Sequence, residues 1–286
     1  MTFNSPSTIE EAVASLKSAP RLRVLAGGTD LLVQLRVGRL QADGIVDLKK
    51  IPELRKITSE RGGFRIGAAV SGAELGEHAE LKKAWPGVVE AARLIGSTQI
   101  QGRASLGGNL CNASPAADSV PAMIAAGAIC TIAGPNGRRE ATVESFITAP
   151  GKTILQAGEF VVDFFLPAVA KQGGDAYLRF IPRTEMDIAV VGAAVNLEVN
   201  AAGAITAASV ALGAVAPRPL LVEAAGKALV GTKLEASALA ALAAAASAAC
   251  APIDDKRGTI EFRTQVAGVL ARRAAAIAYE RARSRA

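Results

Sequence analysis

Two glycine turns constrain this chain more than any other feature, each entered from an extended segment. The first is Leu25-Ala26-Gly27-Gly28-Thr29-Asp30 and the second Ser105-Leu106-Gly107-Gly108-Asn109. Paired glycines let the backbone turn through positive φ and aim successive N–H groups at an anion, with a helix N-terminus behind them. In the first turn the donors are the amides of Gly27, Gly28 and Thr29 together with the Thr29 hydroxyl. Asp30 is placed to cap the next helix, or to accept from a ribose hydroxyl or a backbone amide. The second turn repeats the logic with Ser105 and Asn109, and the small neighbours Ala113, Ser114, Ala116 and Ala117 leave room for a large planar ligand near the backbone. Asp118, ahead of Pro121, has the composition of a helix N-cap. Two such turns suit a pyrophosphate gripped from both sides, as a dinucleotide requires. Neither is GxGxxG, which disfavours a Rossmann nicotinamide site.

The surrounding pattern is α+β. Ser7 and Thr8 stand three residues before Glu10 and Glu11, a capping-box arrangement that opens a helix through Leu16. Strands are expected at Arg21 to Ala26 and Gly44 to Leu48, with a short helix after the first glycine turn, together about an α/β crossover unit. The pattern restarts with a strand at Gly63 to Val70, a Ser71 cap and helices at Val88 to Ile95 and around Ala122 to Ala126. Strands at Ala128 to Ala133 and Arg139 to Val143 flank a Pro135-Asn136-Gly137 turn, and another runs from Glu159 to Leu166. Ala168 to Gly174 is the best linker. Beyond it come strands at Ala176 to Phe180, Ile188 to Val199 and Ile205 to Leu212, then alanine-rich helices through Arg285.

Composition excludes much chemistry. One histidine, His78, and three cysteines with no CxxC pair leave no zinc cage, iron–sulfur ligand set or ordinary catalytic triad. His78 reads as a helix-flanking residue and Cys111 as a small packing residue; no catalytic side chain and no metal ligand is assigned. The odd, scattered cysteines point to a reducing, cytoplasmic setting. No membrane span is expected, because the uncharged runs are broken or mostly alanine, and aromatics at 4% are too sparse for a nucleic-acid stacking surface. The net charge of +6 is local: residues 256–286 hold 8 basic and 2 acidic residues, while residues 1–255 balance 24 against 24. A solvated helix face, or docking to an acidic partner, are the two readings of that segment.

Three stretches together carry a resemblance. VLAGGTDLL at Val24 to Leu32, QIQGRASLGGNLCNASPAADSVPA at Gln99 to Ala122 and YLRFIPRTEMDIAVVGAAV at Tyr177 to Val195 resemble, in that order, the FAD-binding medium subunit of molybdenum hydroxylases. That family includes the carbon monoxide dehydrogenase and xanthine dehydrogenase types. Where it usually reads QIRNxGTIGGN, this chain has Gln101-Gly102 for Arg-Asn and Ala104-Ser105 for Gly-Thr, and Arg179 stands where a lysine is often found. Relatives that reduce hydroxybenzoyl-CoA carry a cysteine-rich insertion that this chain lacks.

The resemblance implies a vanillyl-alcohol-oxidase (PCMH) type FAD-binding domain over residues 1–170, built of two α/β subdomains (about 1–55 and 56–170), and a small α+β C-terminal domain over residues 175–286. It implies FAD contacts from Val24, Leu25, Ala26, Gly27, Gly28, Thr29, Asp30 and Leu31 and from Ser105, Leu106, Gly107, Gly108 and Asn109. Asp118, Val161 (on the adenine side), Arg179 and Ile188 complete the implied set, and the Arg183 to Asp187 loop falls near the flavin edge. It further implies a large molybdopterin subunit and a small 2Fe–2S subunit as partners, in a dimer of heterotrimers, with FAD here passing electrons to an external acceptor. A self-contained flavin reductase or oxidase, and a non-catalytic assembly protein of the same fold, are the alternative readings.

Overall fold

The computed structural model describes residues 1–285. Thr8 opens the first helix, Ile9–Lys17, by accepting from the Glu11 amide at 3.1 Å, while the Glu11 carboxylate reaches back to the Ser7 amide at 2.8 Å. The anticipated cap is therefore shared between neighbouring residues. This helix links strand Thr2–Asn4 to strand Leu22–Leu25, and both flank Gly44–Asp47 in a parallel three-stranded sheet. At the sheet's C-terminal edge Lys49 Nζ donates to the Ala26 carbonyl at 3.0 Å and pairs with Asp47 at 2.6 Å, fixing the exit into the first glycine turn.

The second sheet is antiparallel, in the order Ile57–Glu60, Gly63–Gly67, Phe160–Leu166, Ile129–Gly134, Gly137–Thr142. Its edge strand Ile57–Glu60 escapes sequence reading because Arg61-Gly62 forms the two-residue turn: both have positive φ, 48° and 75°, where Asn-Gly or Asp-Gly is the usual signal. The strand expected to reach Val143 stops at Thr142, whose hydroxyl accepts from the Ser145 amide and starts a short helix, Val143–Phe146. Trp85, Val88, Met123, Phe146 and Phe164 fill the core between this sheet and helices Pro86–Arg93 and Ser119–Ala125. His78 accepts from the Leu81 amide and caps helix Ala79–Ala84, as a helix-flanking residue should.

The third sheet runs Gly173–Phe180, Val191–Val199, Ile205–Gly213, Leu220–Leu221, all antiparallel. The expected strand from Ile188 begins instead at Val191. Asp187 takes the Ile188 amide at 2.8 Å and Arg183 Nε at 3.1 Å, and this local side-chain bonding holds the segment as a loop. Helix Ile260–Ser284 covers the sheet, and helix Ala236–Ala248 packs against that helix. Their alanines allow close approach: a Cβ added at Gly268 would lie 3.0 Å from the Ala243 carbonyl oxygen, and Ala267, Ala271, Ala274, Ala275 and Ala278 are fully buried.

Several cations of the C-terminal segment are spent within the chain. Arg263, buried, donates to the Val190 and Ala214 carbonyls and pairs with Asp255 at 2.7 Å. Arg281 pairs with Glu90 and donates to the Asp175 carbonyl, and Arg285 donates to the carbonyls of Gly173 and Ala84. Arg272, Arg273 and Arg283 remain exposed. The last helix is thereby fastened to helix Pro86–Arg93 of the second sheet's layer.

Asp175 completes that junction. It is buried, and its Oδ2 accepts from the Val88 amide at 3.1 Å, capping a helix from 87 residues away. Burial pushes its carboxyl up to about 7 against the pull of Arg281. Since the folded-state value exceeds the ordinary one, the folded chain binds the proton more tightly, and stability falls as pH rises from about 4 towards about 7. Asp175→Asn retains the amide's acceptor and removes the titration. Chemical denaturation at pH 5 and pH 8 should show a smaller loss of stability in the variant than in the wild type; equal losses would rule Asp175 out as the source.

Candidate cofactor site

The two glycine turns meet. A Cβ placed on Gly27 would sit 1.9 Å from the Arg103 carbonyl oxygen, just ahead of the second motif, so only glycine permits this approach. Gly107 is equally tight against Ala68, whose carbonyl oxygen would be 2.5 Å away. Gly28 supplies the turn itself, with φ of 81°. Gly108 differs: its Cβ direction is open apart from Ser105 Oγ at 3.4 Å. A cleft of about 370 Å³ lies between the turns, walled by Val24, Ala26 to Leu31, Ser105, Gly108 and Asn109.

Its donors are arranged for an anion. The amides of Gly27, Gly28, Thr29 and Asp30 find no backbone acceptor among the described residues, and helix Leu31–Arg36 begins directly behind them. Asp30 makes no capping bond, which overturns one of its three expected roles. Ser105 caps helix Leu106–Cys111 by accepting from the Gly108 amide at 3.1 Å. Asn109 Oδ1 takes the Ser119 amide and hydroxyl at 3.2 and 2.7 Å, tying the second motif to the next helix. Gln34 Nε2 donates to Asn112 Oδ1 at 2.9 Å, joining the helices that follow the two turns. Leu25 and Leu106 point into the core rather than the cleft.

Beside the cleft is a largely apolar cavity of about 120 Å³ that shares Val24, Ala26, Gly108 and Cys111 with it and is walled by Gly107, Phe160 and Val161. Val161 is thus brought to the first motif by the central strand of the second sheet. Asp118, Arg179 and Ile188 do not line the cleft. Asp118 caps no helix; Arg179 Nη1 lies 2.7 Å from its Oδ2, and the Tyr177 hydroxyl donates to its Oδ1 at 3.0 Å. Local composition marks the start of Ser119–Ala125 correctly, but strand Gly173–Phe180 supplies the partners that claim the carboxylate. Burial pushes Asp118 up to about 6, with Arg179 and Tyr177 pulling it back. Ile188 is half exposed just after the Arg183 to Asp187 loop.

Several cleft residues escaped sequence reading: Arg23, Gln34, Leu40, Ile95, Cys111, Asn112 and Gly151. Cys111 and Asn112 were legible, since they fall three and four residues after Gly108 and share its helix face. Gly151 and Ile95 arrive from distant loops and carry no local signal.

The family described as the FAD binding domain in molybdopterin dehydrogenase matches residues 1–169. The chain belongs to this family. Residues 176–278 of this medium-subunit relative match the CO dehydrogenase flavoprotein C-terminal domain. The carbon monoxide dehydrogenase medium chain of Hydrogenophaga pseudoflava is 32% identical over 98% of this chain and 97% of its own length. The xanthine dehydrogenase FAD-binding subunit of Escherichia coli is 32% identical over 92% and 90%. Among solved structures, a Cu,Mo-CO dehydrogenase in its cyanide-inactivated form superposes with a TM-score of 0.94, at 34% identity, over 98% of both chains. The fold is therefore of the PCMH type followed by a C-terminal α+β unit.

The residues present fit FAD. Four unclaimed amides, an open face at Gly108 and an adjoining apolar cavity offer a dinucleotide an anion cradle and a dry wall. No helix among the described residues is long and apolar enough to cross a membrane.

Proposed function

We propose that this chain is the FAD-binding, electron-transfer subunit of a molybdopterin-dependent hydroxylase or dehydrogenase, and that it works in the cytoplasm. The observation that carries the reading is the meeting of two glycine turns around one cleft, in a chain similar along nearly its whole length to a carbon monoxide dehydrogenase medium chain. FAD would supply a redox carrier able to accept electrons singly and release them in pairs.

The chain's own part is to bind and orient. The amides from Gly27 to Asp30 and the helix end behind them hold the diphosphate, with Ser105 and Asn109 shaping the facing turn. Val24 and Val161 wall the apolar end against the adenine, and Leu31 and Gly108 bound the cleft. Leu25, Leu106 and Gly107 act through the backbone they pack. Asp118, Arg179 and Ile188 approach the flavin from the side of the third sheet. In this reading residues 1–170 form the flavin domain and 175–286 a second domain. A large molybdopterin subunit and a small 2Fe–2S subunit complete a dimer of heterotrimers and deliver the electrons.

The purified full chain should be yellow, photoreducible and unable to turn over organic substrates alone, and should reduce dyes with substrate only when co-expressed with its partners. A colourless protein that cannot be reconstituted with FAD overturns the proposal. Substrate turnover by the isolated chain replaces it with the self-contained flavin enzyme.

A further inference from the structure

Arg23 lies on strand Leu22–Leu25, immediately before the first glycine motif, and lines the cleft. Its Nε is shielded from water and has no hydrogen-bond partner among the described residues. A buried N–H without an acceptor is rare in a folded protein and asks for an explanation. Other shielded guanidinium groups are provided for: the buried Arg263 has two carbonyls and Asp255, and the partly buried Arg65 has Glu60 and Asp163. Arg179, whose Nε is also unpaired, still holds Asp118.

Charge points the same way. Among the described residues that line the cleft, Arg23 is the one cation and Asp30 the one acid. The amides and the helix end offer only partial charges, whereas a dinucleotide brings two full negative charges on its diphosphate. We propose, resting on the FAD reading above, that Arg23 is a cofactor-binding residue that donates to the phosphate oxygens. Its Nε then gains the acceptor that the protein does not provide, and the planar guanidinium adds charge-assisted bonds to those of the amides.

The test uses the full chain freed of flavin, as wild type, Arg23→Gln and Arg23→Lys, with FAD binding measured by flavin fluorescence and thermal unfolding recorded with and without FAD. Arg23→Gln should weaken FAD binding by about ten- to hundredfold, Arg23→Lys should fall between, and the wild type's affinity should drop more steeply with added salt than that of Arg23→Gln. Without FAD, Arg23→Gln should unfold at the wild-type temperature or above it, because a buried unpaired donor has been removed. Wild-type affinity and salt slope in Arg23→Gln overturn the assignment, as does a flavin-free variant destabilised enough to explain the lost binding. A wild type that takes up no FAD overturns the underlying reading instead.

Discussion

Gly108→Leu gives a folded protein that holds flavin far more weakly. The leucine's Cβ enters open space with only Ser105 Oγ at 3.4 Å, and leucine is the better helix former within Leu106–Cys111 by about 0.8 kcal/mol. The rest of the side chain projects into the space a dinucleotide needs. Overpacking of this kind is worth about 1–3 kcal/mol, so FAD affinity should fall by up to about a hundredfold while the flavin-free unfolding temperature stays level or rises. Gly107→Ala behaves oppositely: its Cβ meets Ala68 backbone at 2.5 Å, and the protein loses stability before any question of cofactor arises. Titration with FAD and calorimetry on both variants separate the two effects. Full flavin retention in Gly108→Leu would place the cofactor elsewhere.

Asp118→Ala is expected to be strongly destabilising. It removes one partner of an ion pair whose side chains are only 9% and 5% exposed, leaving Arg179 buried with Nε already unsatisfied. Breaking such a pair costs about 3–5 kcal/mol. Replacing both partners, Asp118→Leu with Arg179→Met, should restore much of that loss, because no uncompensated charge remains. A double variant as unstable as Asp118→Ala would show that the damage comes from packing instead. Asp118→Asn adds a pH test. With the carboxyl raised to about 6, stability of the wild type falls as pH rises from about 4 to about 6, and the amide should flatten that slope in urea denaturation.

Local signals made much of this molecule legible. The Ser7-Thr8 cap, the glycine turns and the Pro135-Asn136 hairpin each declare themselves through residues within a few positions of one another, and the parallel unit around the first turn follows from them. What stayed hidden was decided across the chain. Nothing near Asp118 announces Arg179, 61 residues on, and nothing in the glycine pairs says that Gly27 and Gly107 meet backbone while Gly108 faces a cavity. Arg61 in a two-residue hairpin and Asp187 pulling Ile188 out of a strand defeat pattern reading, because one residue's backbone turn or side-chain bond outweighs the alternation around it. Arg23 carries no signal for a simpler reason: within a strand, an arginine is ordinarily a solvent-facing residue.

The clasp of Arg281 on Glu90 and of Arg285 on Ala84 sets a timetable for biogenesis. Glu90 leaves the ribosome 191 residues before the arginine that secures it, an interval on the order of 10 to 40 s at ordinary elongation rates. Helix Pro86–Arg93 waits less than half as long for its cap, Asp175, 87 residues on. The flavin half of the nascent chain is therefore provisional, exposed to chaperones and proteases, until the final helix arrives to close it. Translation that halts before Arg281 should leave a fragment cut near Trp85, and quality control would meet it as a protein never finished.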